Sequence, residues 1–238
     1  MLADSAVSHA QSGVLSKDLH LSATSMHELI NFIADELPRW RDHPDRPAQT
    51  SETALTSQLC GHLNTAARLS TGWDILQFRV EEPDEHQKGR KIDLVASPSG
   101  STVWIHGRRC THFDTLLPIE CKRLPTPTGT DRDEREYVIN RKATTGGIQR
   151  FKAGHHGAVH SLAAMIAYVQ KETADDWYGR VNGWINELDG AVVGWTAKDL
   201  INQDSANAKS GVAGYRSSHA REKRLADIEL RHLWIEMN

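Results

Sequence analysis

Apolar residues recur along this chain at two spacings, and the change from one to the other predicts its elements. From Met26 to Trp40, the residues Leu29, Ile30, Ile33 and Leu37 fall three and four apart, so one side of a helix is apolar. Pro44 and Pro47 close it. A second helix is expected from Thr50 to Leu69, with a Thr or Ser cap, Glu52 in its first turn, and Leu55, Leu59, Leu63 and Ala66 as its stripe. From Ile75 the period shortens. Ile75, Gln77, Phe78, Val80 and Glu82 read as one strand, and Lys91 to Ala96 as a second after the turn-like Asp84 to Gly89.

Thr102 to His106 is expected as a further strand or the arm of an inserted hairpin, and Leu116 to Leu124 as a strand stopped by Pro125 and Pro127. A charged connection follows to about Arg141, then a short helix from Gly147 to Ala153. Leu162 to Gln170 is almost wholly apolar, which leaves a buried strand and a core helix both open. Asp175 to Leu188 reads as a helix with Trp177, Val181, Trp184, Ile185 and Leu188 on one stripe, and Ile228 to Met237 as a closing strand. The expected fold class is α/β, a mixed central sheet flanked by helices, with 1–24 as a polar leader and 25–238 as a single domain.

Composition narrows the class. The chain has 238 residues, of which 39% are apolar and 25% charged, as in an ordinary globular domain. Its longest mostly apolar stretch, Leu162 to Val169, is far below the roughly 18 residues of a membrane helix, so no membrane partner is expected. The first 16 residues lack a cationic start followed by an apolar core, and the three cysteines Cys60, Cys110 and Cys121 cannot all pair. A cytoplasmic location is expected. A net charge of -3 argues against bulk adhesion to nucleic acid. Yet Tyr137 to Gln170 holds Arg141, Lys142, Arg150 and Lys152 with three histidines and no Asp or Glu. A second basic cluster comprises Lys209, Arg216, Arg221, Lys223 and Arg224. Clustered cations contact phosphates whatever the total charge, and a solvated face explains either cluster equally well.

The segment with chemical content is Ile119-Glu120-Cys121-Lys122, preceded by Lys91-Ile92-Asp93-Leu94. Alternate side chains of a strand share a face, so Glu120 and Lys122 point together, and Asp93 points away from Ile92 and Leu94. Neighbouring strands would bring two carboxylates and an ammonium to one spot. Carboxylate oxygens are the ligands that magnesium prefers, and a lysine beside a metal-bound water orients it. Glu52 offers a further carboxylate, although complementing the helix dipole explains its place nearly as well. A simple Glu-Lys surface pair is the competing account of Glu120 and Lys122. His155 and His156 have no partners at zinc-like spacing and are expected at a phosphate or in solvent.

From about Thr50 to Gln170 these residues resemble the PD-(D/E)XK nuclease superfamily, the restriction-endonuclease-like enzymes. The resemblance rests on a helical Glu (Glu52), an Asp on a core strand (Asp93), the E-x-K strand (Glu120, Lys122) and a Gln on a later helix (Gln149). Ile92 stands where the motif's name has Pro, and the 26 residues between Asp93 and Glu120 require an insertion or extra strand. The resemblance implies an αβββαβ core and Mg2+-dependent phosphodiester hydrolysis, with Mn2+ as a substitute. It makes Asp93, Glu120 and the Cys121 carbonyl metal ligands, Lys122 the water-activating group, and Glu52 and Gln149 supporting groups. Arg141, Lys142, Arg150 and Lys152 become the expected nucleic-acid contacts. It further implies a DNA endonuclease of restriction or antiviral defence, as a homodimer or beside a partner ATPase or helicase, since the chain has no phosphate-binding loop of its own. The rivals are a structure-selective repair nuclease of the same fold and a nuclease-fold module that binds without cutting.

Overall fold

The computed structural model describes residues 18–237 apart from 23, 85–87, 106, 131, 208–210 and 222–224. Helices α1 (Ser25–Arg41) and α2 (Glu52–Leu69) form where the apolar period requires them. Ser51 is the α2 cap: its hydroxyl accepts the Ala54 N–H at 3.3 Å, satisfying one of the first-turn donors. A short strand β1 (Asp18–His20) precedes them, inside the expected leader. Five strands follow: β2 (Leu76–Pro83), β3 (Lys91–Pro98), β4 (Thr102–Ile105), β5 (Arg108–Cys110) and β6 (Leu117–Leu124). The remainder is α3 (Gly147–Lys152), β7 (Leu162–Val169), α4 (Ala174–Leu188), β8 (Asn202–Asn207), β9 (Val212–His219) and β10 (Ile228–Glu236).

Seven strands form one mixed sheet in the order β2-β3-β6-β7-β10-β9-β8. Its centre, β6, β7 and β10, is parallel, and antiparallel strands extend both edges. Strands β1, β4 and β5 make a separate small sheet, so the expected insertion is a hairpin. Leu162–Val169 is a strand because both its faces are covered, which is why its sequence shows no alternation. Ala164, Ile166 and Tyr168 pack with Leu29, Ile33, Leu55 and Leu59 of α1 and α2. Met165, Ala167 and Val169 pack on the other face with Ile148 and Phe151 of α3 and with Trp177, Trp184 and Ile185 of α4. All three cysteines are buried.

A chain of hydrogen bonds runs through the α3–α4 side of the core. The Trp234 indole donates to Tyr137 Oη at 2.7 Å, and Tyr137 Oη meets His232 Nδ1 at 2.8 Å. His232 Nε2 meets Ser217 Oγ at 2.8 Å, Ser217 Oγ meets His219 Nε2 at 2.7 Å, and His219 Nδ1 meets Asp199 at 2.6 Å. Lys152 Nζ closes it on the same Asp199 oxygen at 2.6 Å. A carboxylate only accepts, so His219 Nδ1–H donates to Asp199, and burial lowers the pKa of both imidazoles and so favours their neutral forms. With both imidazoles neutral the rest of the order follows: the Ser217 O–H donates to His219 Nε2, His232 Nε2–H donates to Ser217, and the Tyr137 O–H donates to His232 Nδ1.

Candidate active site

Register builds the site. The β3–β6 ladder pairs Leu94 with Ile119, which places Asp93 and Glu120 one step beyond the last paired residues. The Asp93 carboxylate accepts the Cys121 N–H at 2.9 Å, tying the two strands together. Lys122 shares the face of Glu120, as alternation requires. Its ammonium lies 2.8 Å from Glu120, 3.3 Å from Asp93 and 3.3 Å from Glu52, and donates to the Cys121 carbonyl at 2.9 Å. Glu52, at the start of α2, also accepts the Arg123 N–H at 3.2 Å. Four of the five residues selected as catalytic from sequence thus meet at one ammonium.

The members of this cluster differ in access. Glu120 is fully buried, whereas the Glu52 and Asp93 side chains keep 23% and 27% of their surface in solvent. Both line a cleft of about 150 Å3 with Thr53, Thr56, Ser57, Val80 and Glu81. Burial pushes the Asp93 carboxyl up to about 6, helped by the charges of Glu120 and Glu52 and opposed by Lys122. Burial alone would raise Glu120 too, but Lys122, His156 and Arg150 outweigh it and hold Glu120 well below the carboxylate range. Lys122 follows the same logic with opposite sign. Its burial disfavours charge, yet Asp93, Glu120 and Glu52 raise its pKa well above the ordinary value.

Gln149 lies apart from this convergence. Its side-chain oxygen accepts the Gly146 and Asn140 N–H groups, each at 3.2 Å, and so fastens the start of α3 to the preceding loop. Gly146 is needed there, because a Cβ would fall 2.4 Å from Ile139 Cα.

The basic stretch is also arranged otherwise than as an open cationic face. Arg150 turns inward onto Glu120, and Lys152 is buried on Asp199. Arg141 makes a two-pronged contact with Asp133 at 2.8 and 3.0 Å, and Lys142 donates to the Thr130 and Arg132 carbonyls. Arg141 and Lys142 find their oxygens in the charged connection itself, whereas Arg150 and Lys152 find theirs on Glu120 of β6 and on Asp199 ahead of β8. Of the second cluster, Lys209, Lys223 and Arg224 lie outside the described residues.

His156 is a residue the sequence reading misplaced. It is 1% exposed, with Nδ1 3.1 Å from Glu120 Oε2, an ion-pair distance without hydrogen-bond alignment. The available signal was the glycine on either side. Gly157 has φ +61°, and a Cβ on it would crowd Pro118 at 3.1 Å, so the loop turns where only glycine fits and directs His156 inward.

Among the described residues, no group of three or more His, Cys, Asp or Glu is arranged to hold a metal ion. The Lys122 ammonium occupies the point on which the three carboxylates converge and also takes the Cys121 carbonyl. The donor chemistry still suits a hard cation, since Glu52 and Asp93 present carboxylate oxygens to the cleft. Among the described residues no helix is long and apolar enough to cross a membrane. Compared with protein-family models, curated proteins and solved structures, the chain matches none.

Proposed function

We propose that this chain is a divalent-cation-dependent nuclease of the PD-(D/E)XK type, cutting DNA as an endonuclease. The observation that carries the reading is the meeting of Glu52, Asp93 and Glu120 at the Lys122 ammonium. The element order α2-β2-β3-β6-α3-β7 supports it, being the αβββαβ order that the resemblance implies once the hairpin is set aside. Glu52, Asp93 and Glu120 are the residues that would hold the cation. Such a cation acidifies a bound water and neutralises charge on a phosphate. Lys122 is held protonated by its three carboxylates, so its part is to donate hydrogen bonds to the attacking water and the scissile phosphate rather than to remove a proton. The same resemblance points to restriction or antiviral defence, as a homodimer or with a partner ATPase or helicase.

One observation favours a second reading, a module that binds nucleic acid without cutting. Glu120 has no exposed surface, and Lys122, Arg150 and His156 already surround it. Incubation with supercoiled, linear and single-stranded DNA in Mg2+, in Mn2+ and in excess chelator separates the two. Cleavage that needs either cation and stops with chelator is expected. Cleavage undiminished by chelator overturns the proposal, and binding without cleavage selects the module.

A further inference from the structure

A second cavity, of about 390 Å3, opens at the other end of the parallel strands, where Leu117, Leu162 and Glu229 begin or nearly begin β6, β7 and β10. It shares no residue with the cleft at Glu52 and Asp93. Ile105, Leu116, Leu117 and Leu162 give it apolar walls, and Arg108, Arg221, His27 and His160 add basic groups. Its one acidic side chain, Glu229, pairs with Arg231 Nε at 2.5 Å, a guanidinium that Asp204 shares, and stands 3.4 Å from His27.

Arg221 is the informative residue. Its guanidinium donates to three backbone carbonyls, those of Ala226, Gly157 and His160, at 2.5, 3.1 and 2.9 Å. These carbonyls are neutral, so the hydrogen bonds do not pair its charge. Among the described residues no carboxylate lies within ion-pair distance of it, and burial lowers its pKa while Asp227 raises it only in part. A half-buried cation that no described carboxylate reaches at ion-pair distance, at the wall of a partly apolar cavity, has the character of a site for an anion with an apolar body. The geometry points to a binding site for a small organic anion, an aromatic or short aliphatic group seated on Leu116, Leu117 and Leu162, with its carboxylate or phosphate at Arg221. This assignment stands apart from nuclease activity and from any metal at Lys122.

Isothermal titration of the full chain with phenyl phosphate, in chelator, tests it. Inorganic phosphate and benzyl alcohol serve as arms that carry the anion alone or the ring alone. Phenyl phosphate should saturate one site at least tenfold more tightly than either arm, and Arg221→Gln should weaken it at least tenfold. Because Arg221 also ties down the Gly157–His160 loop, Val159→Trp provides a second variant. Val159 is 50% exposed at the cavity wall, so an indole there should block binding with melting temperature unchanged. The assignment is overturned by an absence of saturable phenyl phosphate binding, by equal affinity for all three probes, or by undiminished binding in Val159→Trp.

Discussion

The cluster at Lys122 and the chain at His219 are both buried polar systems, and they meet the cost of burial in opposite ways. Along the chain each donor meets an acceptor, and burial favours two neutral histidines, which with Asp199 set its direction. At the cluster three carboxylates share one ammonium, while two further basic groups, Arg150 and His156, reach only Glu120. The result is two carboxylates of unlike state on adjacent strands, Glu120 held far down and Asp93 pushed up to about 6. A matched network specifies one packing. An unmatched one leaves a carboxylate short of positive charge, here Asp93 beside an open cleft, which is where an added cation gains most.

The largest contrast is expected between the centres of the two systems. Lys122→Ala should lower cleavage by a factor on the order of a hundred or more and also lower the melting temperature, because it strands the buried Glu120 carboxylate beside Asp93 and Glu52. Asp199→Ala should affect stability alone. It strands the buried Lys152 ammonium and the His219 N–H, at about 3–5 kcal/mol, which for a chain of this size is a fall on the order of 10 °C. Cleavage rate below the melting transition and melting curve on both variants decide the matter, and a hundredfold loss of cleavage in folded Asp199→Ala would erase the distinction.

Within the cluster the two strand carboxylates should separate by sign. Glu120→Gln removes the counter-charge of Lys122 and Arg150 and should cost several kcal/mol by the same measurement. Asp93→Asn should be neutral or stabilising by on the order of 1 kcal/mol at pH 7.5, since the fold disfavours the ionised form above about pH 6. Equal destabilisation by both would refute the unequal charge distribution.

Acid should act through the chain. His219 and His232 have folded pKa values below their unfolded ones, so below about pH 6.5 the unfolded chain takes up protons that the native chain refuses, and stability falls. Asp199, held down to about 2, contributes stability above about pH 4 that is lost as pH falls toward 2. Imidazole proton resonances followed from pH 7.5 to 5.5 should show two histidines that do not titrate. Titration of both near 6.5 would contradict the proton order assigned to the chain. The smallest effect is expected at Gln149→Ala, about 1 kcal/mol from the lost loop contacts with cleavage unchanged, and a tenfold loss of cleavage would restore Gln149 to the site.

The sequence by itself determined α1, α2, α4 and the shared face of Glu120 and Lys122, because those follow from a period of 3.6 or two within a dozen residues. It did not determine β8, whose Asn-Gln-Asp-Ser-Ala-Asn has no apolar alternation and depends on pairing with β9, nor whether Leu162–Val169 was strand or helix. Partners were less legible still. Arg150 meets Glu120 across 30 positions and Tyr137 meets His232 across 95. Only tertiary structure turned Arg150 and Lys152 inward while Arg141 and Lys142 stayed exposed. An ion pair in a partly buried setting depends on which opposite charge the fold brings within about 4 Å, and local spacing carries no record of that distance.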